Sequence, residues 1–237
     1  MVYAIISDIH ANLEALKVVL ADIKTRNPDR KICLGDMVGY CAAPSESLEL
    51  IKDFNVILMG NHDYAVIDSS LVEKFNFHAR LAMEWTISHL SPEEKTALSK
   101  LQYIHQENSI TFVHATPRNP EGWGYIMNID DAMDAFNYFD SQLCFIGHTH
   151  YPVIVSDRGE IIADRKITFD AKSKYVVNIG SVGQPRDGDN RTCYVIYDSD
   201  AHTLEYVRLQ YNIQATQKKM SKVNFPQFLI NRLSEGR

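Results

Sequence analysis

The chain opens with Val2-Tyr3-Ala4-Ile5-Ile6-Ser7-Asp8-Ile9-His10, an apolar run that ends in a carboxylate and an imidazole. Five consecutive apolar residues are typical of a buried β-strand. Apolar residues then recur at spacings of three and four, which predicts an amphipathic helix over residues 11–25. A buried strand followed by a covering helix is the repeating unit of a layered α/β fold.

The same alternation continues along the first half of the chain. Strands are predicted at residues 32–34 and 56–59, with a helix at residues 44–52 between them. A helical insertion is predicted at about residues 64–106, and a further helix near residues 130–140. The strands predicted on either side of this last helix span residues 109–113 and 143–146.

Beyond residue 150 the pattern changes to short apolar runs separated by turns. A hairpin is predicted around Asp157-Arg158-Gly159, and the tail from residue 215 is predicted to be helical. Further strands are predicted at residues 175–178, 193–198 and 203–209.

Composition limits the classes of protein to consider. The chain has 237 residues, 45% of them hydrophobic, and no linker-like stretch divides it, so one domain spanning residues 1–237 is predicted. The 30 acidic residues outnumber the 24 basic ones and give a net charge of −6. Long duplex nucleic acid is not expected as a partner, because holding its phosphate backbone requires clustered lysines and arginines.

Cysteine usage and the N-terminus bear on location. The four cysteines are widely spaced and form no Cys-x-x-Cys pair, so neither a disulfide framework nor a structural zinc site is predicted. No signal-like segment opens the chain, and no apolar run approaches the length of a membrane span. The sequence therefore predicts a cytoplasmic protein without a membrane partner.

Five short segments place metal-ligating side chains directly after predicted strands. They are Asp8-x-His10, Gly35-Asp36, Gly60-Asn61-His62-Asp63, His114 and Gly147-His148-Thr149-His150. Strands of an α/β sheet present their carboxyl ends at one edge, so these side chains are expected to converge. Imidazoles, carboxylates and an amide oxygen together suit Mn²⁺, Fe²⁺ or Zn²⁺. Six or seven ligands are too many for one ion, which predicts two divalent metal ions bridged by a carboxylate.

In order and spacing these motifs resemble the calcineurin-like metallophosphoesterase family, in its small bacterial branch. The motifs cover residues 3–151, and Asn178-Ile179-Gly180-Ser181 resembles the end of the same domain. The resemblance implies one metal held by Asp8, His10 and His150, a second held by Asn61, His114 and His148, and Asp36 as the bridge. It also implies that His62 lies outside the metal shell and protonates the leaving oxygen.

The predicted fold class is α/β, a layered sandwich of two mixed β-sheets flanked by helices. The resemblance does not cover the helical insertion, which is expected to form a cap beside the metal edge. There, Phe75 and Phe77 are expected to help bury an organic leaving group, with Trp85 mainly in the core of the cap.

The activity implied is hydrolysis of phosphoesters, as a phosphatase or phosphodiesterase, through a metal-bound hydroxide. The expected substrate is a small phosphorylated molecule, with nucleotides among the candidates. One alternative is a dinucleoside-polyphosphate hydrolase. Another is a non-catalytic binding module of the same fold, although every ligand position is intact. The oligomeric state is left open, with a homo-oligomer among the alternatives.

The second motif departs from the Ser/Thr protein phosphatase branch. That branch has an aspartate that orients the catalytic histidine and an arginine that binds phosphate, whereas this chain has Gly39 and Tyr40. Few basic residues lie near the motifs, so little fixed positive charge beyond the metals is expected. This favours diesters and nucleotide anhydrides over phosphoproteins.

Three further residues are candidate substrate contacts. Arg186 lies in a late loop and can reach a phosphate, while Tyr40 directly follows a ligand motif. Asn12 also follows a ligand motif, and its alternative role is to cap the first helix.

Overall fold

Two six-stranded β-sheets organise the protein, whose computed structural model describes residues 1–237. The first sheet contains β1 (Val2–Ile6), β2 (Arg30–Cys33), β3 (Val56–Ile57), β9 (Lys166–Thr168), β11 (Thr192–Asp198) and β12 (Thr203–Leu209). The second contains β4 (Ile104–Glu107), β5 (Ile110–Val113), β6 (Leu143–Ile146), β7 (Val153–Ser156), β8 (Ile161–Ile162) and β10 (Tyr175–Asn178).

Eight α-helices accompany the sheets. They are α1 (Leu13–Arg26), α2 (Pro44–Ile51), α3 (Asn61–Ile67), α4 (Phe77–His89), α5 (Pro92–Leu98), α6 (Ile129–Ala135), α7 (Ile213–Lys222) and α8 (Gln227–Glu235). No helix combines the length and the apolar character that crossing a bilayer requires.

Both sheets are mixed, which confirms the predicted fold class. The first has the order β3-β2-β1-β11-β12-β9, with parallel pairing from β3 to β1 and antiparallel pairing beyond. The second has the order β4-β5-β6-β10-β7-β8, with β5, β6 and β10 parallel. The parallel strands of each sheet therefore end at a common edge.

The apolar run of β1 is explained by burial on both of its faces. Tyr3 and Ile5 belong to the 20-residue core between the two sheets. Ala4 and Ile6 belong to a second core, where the outer face of the first sheet packs against the helices. Successive side chains of a strand point to opposite faces, so a strand covered on both sides is apolar throughout.

Helices occupy most of the predicted insertion, but its last residues form a strand. Helices α3, α4 and α5 and a 3₁₀ turn at Ser69–Lys74 fill most of residues 64–106. Residues 104–106, however, belong to β4, which forms a hairpin with β5. Asn108 and Ser109 form the tight turn, with φ of 49° and 60°, a backbone suited to a two-residue hairpin. The division into one domain with a cap stays a prediction.

Two features of the second half differ from the sequence prediction. The structure contains the edge strand β9, which the sequence analysis does not predict, because Lys166–Thr168 is too polar and exposed to give an apolar run. The helical tail is confirmed, but as two helices, α7 and α8, that pack against each other.

Candidate metal centre

The predicted metal-ligating side chains converge where the central parallel strands end. Asp8 follows β1, Asp36 follows β2, and His114 directly follows β5. His10 also follows β1, Asn61 begins α3 just after β3, and His148 and His150 follow β6. All of these side chains are buried, namely Asp8, His10, Asp36, Asn61, His114, His148 and His150.

The charged and imidazole members form two clusters that share one carboxylate. The first cluster comprises Asp8, His10, Asp36 and His150, and the second comprises Asp36, His114 and His148. Within each cluster the potential ligand atoms all lie within 4.8 Å of one another. The structure thus brings six of the seven predicted ligands into two adjoining groups.

Asp36 occupies the position between them. Its Oδ1 atom accepts a hydrogen bond from the backbone N–H of His62 at 2.8 Å. Its Oδ2 atom lies 3.6 Å from Nε2 of His10 and 3.5 Å from Nε2 of His114. A Cβ atom on Gly60 would come within 2.2 Å of Oδ1, so only glycine fits there. One oxygen is therefore fixed, and the other faces both clusters.

The hydrogen bonds of His10 and His150 orient their rings toward a cation. Each Nδ1 atom lies at hydrogen-bond distance from a backbone carbonyl, that of Val38 at 3.1 Å and that of Gln184 at 2.6 Å. A carbonyl only accepts, so Nδ1 carries the proton and Nε2 keeps its lone pair. Burial lowers the pKa of both rings, which keeps them neutral. The two Nε2 atoms lie 3.0 Å apart, an arrangement that a bound cation would stabilise.

The second cluster shows the same fit to a metal. Oδ1 of Asn61, both ring nitrogens of His114 and Nε2 of His148 are buried without a hydrogen-bond partner. An unsatisfied buried polar group costs roughly 1–3 kcal/mol. Coordination would satisfy these atoms, and the mixture of nitrogen and oxygen donors suits a borderline divalent ion.

Burial and neighbouring charges keep the Asp36 carboxyl ionised and the His148 ring neutral, which are the forms that bind a metal ion. Burial alone would raise the pKa of Asp36, but His114 and His62 hold it well below its usual range. Burial lowers the pKa of His148 to about 3. Burial also acts to lower the pKa of His114, but Asp36 outweighs it and raises that pKa to about 9. A metal at His114 would therefore displace a proton.

The backbone carries strain at the same positions. A positive φ occurs at Asp8 (53°), His10 (49°), Asp36 (52°), His148 (64°) and His150 (62°). Residues other than glycine rarely adopt this left-handed region, which costs them of order 1–3 kcal/mol and is concentrated at functional sites. The fold holds these five side chains in place against a local conformational preference.

His62 lies beside the first cluster but belongs to neither. Its ring centroid is 4.8 Å from that of His10, 4.6 Å from that of Tyr40 and 4.7 Å from that of Phe75. Burial lowers its pKa to about 4, although the carboxylate of Asp36 opposes the shift. Its role as a proton donor stays a prediction.

Asp63 links the second and third motifs. Its Oδ1 atom accepts hydrogen bonds from the backbone N–H groups of Met37 and Val38 at 3.0 and 3.3 Å. Its Oδ2 atom accepts one from Gly60 at 3.1 Å. This buried carboxylate fixes the loop that carries Asp36 against the start of α3.

Arginines lie closer to the site than the sequence predicts. The guanidinium of Arg186 lies 5.7 Å from the ring centroid of Tyr40, and that of Arg232, on α8, lies 5.9 Å from it. Arg186 donates to Oε1 of Gln184 at 3.0 Å, while its Nε atom is buried without a partner. The expectation of little fixed positive charge near the metals is therefore wrong. Arg232 was missed because no motif surrounds it.

The side-chain amide of Asn12 forms hydrogen bonds to other groups of the protein through both its nitrogen and its oxygen. It donates to the carbonyl of Gly183 at 2.8 Å and accepts from Ala15 N–H at 3.3 Å and from the Thr216 hydroxyl at 2.9 Å. This geometry favours the capping role over contact with a substrate.

The helical segment packs against His62 through Phe75. Phe75 packs on the His62 ring, and Trp85 packs edge-to-face on Phe225 at 5.1 Å, in line with a core role. Phe77 is 65% exposed. The expected burial of a leaving group among these aromatic residues stays a prediction.

Comparisons with known proteins agree with this geometry. The sequence profile of the calcineurin-like phosphoesterase superfamily domain matches residues 1–202. An uncharacterised protein of Methanocaldococcus jannaschii is 43% identical, with 99% of this chain and 98% of that protein covered.

Solved structures extend the comparison to three dimensions. The crystal structure of a metallophosphoesterase from Sphaerobacter thermophilus is 38% identical with a TM-score of 0.90, covering 100% of this chain and 99% of that one. A Pyrococcus horikoshii protein has the same fold, with a TM-score of 0.83, 18% identity, and coverage of 100% and 98%. The profile match and the Sphaerobacter thermophilus structure show that the chain belongs to the calcineurin-like phosphoesterase superfamily.

Proposed function

We propose that the protein is a dimetal-dependent phosphoester hydrolase, a phosphatase or phosphodiesterase that acts on a small phosphorylated substrate. The position of Asp36 Oδ2 between the two clusters is the observation that carries this proposal. Two divalent ions bound there would activate water as a nucleophile and neutralise charge on the phosphoryl oxygens.

Each residue has a proposed task. Asp8, His10 and His150 hold one ion, Asn61, His114 and His148 hold the other, and Asp36 bridges them. His62 delivers the proton to the leaving oxygen, and Arg186 binds a phosphoryl oxygen beside Tyr40. The donor set suits Mn, Fe and Zn alike.

Metal loading of an Asp36→Asn variant tests the bridge. We expect wild-type protein to bind two Mn²⁺ per chain and to hydrolyse bis(p-nitrophenyl) phosphate. Asp36→Asn should weaken both sites together, because one carboxylate serves both clusters. Asp53→Asn makes the same chemical change at an exposed position and is the control. Metal per chain is measured by atomic emission after dialysis. Binding of a single ion by wild type, or unchanged occupancy in Asp36→Asn, would contradict the bridge.

A dinucleoside-polyphosphate hydrolase is the second candidate function. Two arginines beside one tyrosine favour it, since neither Arg186 nor Arg232 pairs with an aspartate or glutamate. A substrate with several phosphates would give both guanidinium groups an anionic partner.

We also propose a cytoplasmic location. All four cysteines are buried and free, as expected in a reducing compartment.

A further inference from the structure

A cavity of about 410 Å³ opens beside the second cluster. Its lining includes Tyr125, Met127, Tyr151 and Arg186. The ring centroid of Tyr125 lies 4.1 Å from that of His148, and Tyr151 directly follows His150. The cavity therefore adjoins the metal centre, from which the ring of Tyr125 separates it. We call it the tyrosine pocket.

The lining is unusually apolar for exposed protein surface. Tyr125 is 56% exposed, Tyr151 is 54% exposed and Met127 is 69% exposed. Isolated exposed apolar residues need no explanation, but a group of them around one cavity marks a binding site. The volume falls within the roughly 300–1,000 Å³ typical of small-molecule sites.

Arg186 provides the polar anchor at the border of this pocket. Its backbone N–H donates to the carbonyl of His150 at 3.4 Å, which fixes it next to a predicted metal ligand. Its Nε atom is buried without a partner. A phosphate held by Arg186 would thus place its organic substituent beside the tyrosine pocket.

We propose that the tyrosine pocket binds a nucleobase attached to the phosphate on which the enzyme acts, so that the substrates are nucleotide esters or anhydrides. The inference rests on the proposed function and names its substrate class. Flat rings stack on tyrosine faces whatever their hydrogen-bonding pattern, and two exposed tyrosines beside a cation offer such faces. Sugar phosphates without a base would leave the pocket unfilled.

Equilibrium binding separates the base from the phosphate. AMP and ribose 5-phosphate carry the same phosphate ester and differ only in the base, and each is titrated calorimetrically into Mn²⁺-loaded protein. We expect AMP to bind at least tenfold more tightly. Tyr125→Ala and Tyr151→Ala should each reduce that preference by about five- to a hundredfold, the range for loss of one stacking partner.

Matched variants keep the test specific. Tyr125→Phe and Tyr151→Phe retain the ring and should retain the preference. Tyr138→Ala removes an exposed tyrosine that packs on Arg118, outside the pocket, and should also retain it. Because Tyr125 and Tyr151 lie on separate loops, misfolding of one alanine variant leaves the other as the test. Equal affinities for AMP and ribose 5-phosphate, or an undiminished preference in the folded alanine variants, would overturn the proposal.

Hydrolysis of bis(p-nitrophenyl) phosphate is measured on the same preparations. Hydrolysis without any preference for AMP would overturn the nucleobase pocket and leave the proposed function standing. Preference for AMP without hydrolysis under Mn²⁺, Fe²⁺ or Zn²⁺ would support the nucleobase pocket and overturn the proposed hydrolase function.

Discussion

The Nδ1 atom of His62 lies 3.2 Å from the Sδ atom of Met83, and a side chain on Gly39 would collide with both. The sulfur and the surrounding rings contact His62, and Gly39 stands at the sequence position where the Ser/Thr protein phosphatase branch has the aspartate that orients its catalytic histidine. A thioether is a weak acceptor, so packing, more than charge, sets the orientation of this ring.

Gly39→Ala should lower both stability and activity. The glycine has φ of +89°, and an added Cβ would lie 2.4 Å from Nδ1 of His62. We expect a loss of at least about 1–3 kcal/mol in the free energy of unfolding, measured in urea. Gly188→Ala is the control, because its φ of +84° is similar but nothing lies within 4 Å of the added atom. Similar losses of activity in both variants would show that the collision with His62 is unimportant.

His62→Ala should slow hydrolysis most for substrates with poor leaving groups. General acid catalysis contributes on the order of 10²–10⁴-fold where a proton must be delivered. We therefore expect a far larger fall in kcat for an alkyl ester than for a p-nitrophenyl ester, with metal content retained. His89→Ala changes an exposed histidine as the control. Equal losses on both esters would argue against the acid role, and loss of metal would make His62 a ligand.

Asp63→Asn should weaken metal binding although Asp63 is not itself a proposed metal ligand. The carboxylate accepts three backbone N–H groups, and an amide would turn its own N–H₂ toward at least one of them. We expect a loss of about 1–3 kcal/mol in the free energy of unfolding, together with weaker Mn²⁺ binding. Urea denaturation and metal titration measure the two effects. A destabilised variant that binds Mn²⁺ normally would limit Asp63 to a role in folding.

Arg232→Gln should weaken binding of tripolyphosphate more than binding of orthophosphate. Charge-assisted hydrogen bonds contribute about 1.5–3 kcal/mol, so the affinity for tripolyphosphate should fall roughly ten- to a hundredfold. Arg237→Gln removes the same charge from an exposed side chain near the end of the same helix and is the control. Inhibition constants against bis(p-nitrophenyl) phosphate measure the effect. An equal loss for both anions would argue against the polyphosphate candidate.

The amino-acid sequence predicted the fold class, most of the strands and the side chains that form the two clusters. Its apolar runs and helical spacings are local patterns, because a strand buried on both faces must be apolar at every position. The ligands follow those strands directly, and strands of one sheet end at one edge, so their convergence could be predicted without a structure.

Only the tertiary structure decided what surrounds that centre. Arg232 reaches Tyr40 because α8 packs there, and Tyr125 reaches His148 through the path of a loop. Residues 104–106 were predicted to belong to the helical cap, but they form part of the strand Ile104–Glu107 because that strand pairs with Ile110–Val113. Such contacts depend on how elements distant in sequence pack together, which no local periodicity encodes. The side chains of the two clusters could therefore be predicted from the sequence, together with Arg186 and Tyr40, whereas the positions of Arg232 and Tyr125 could not.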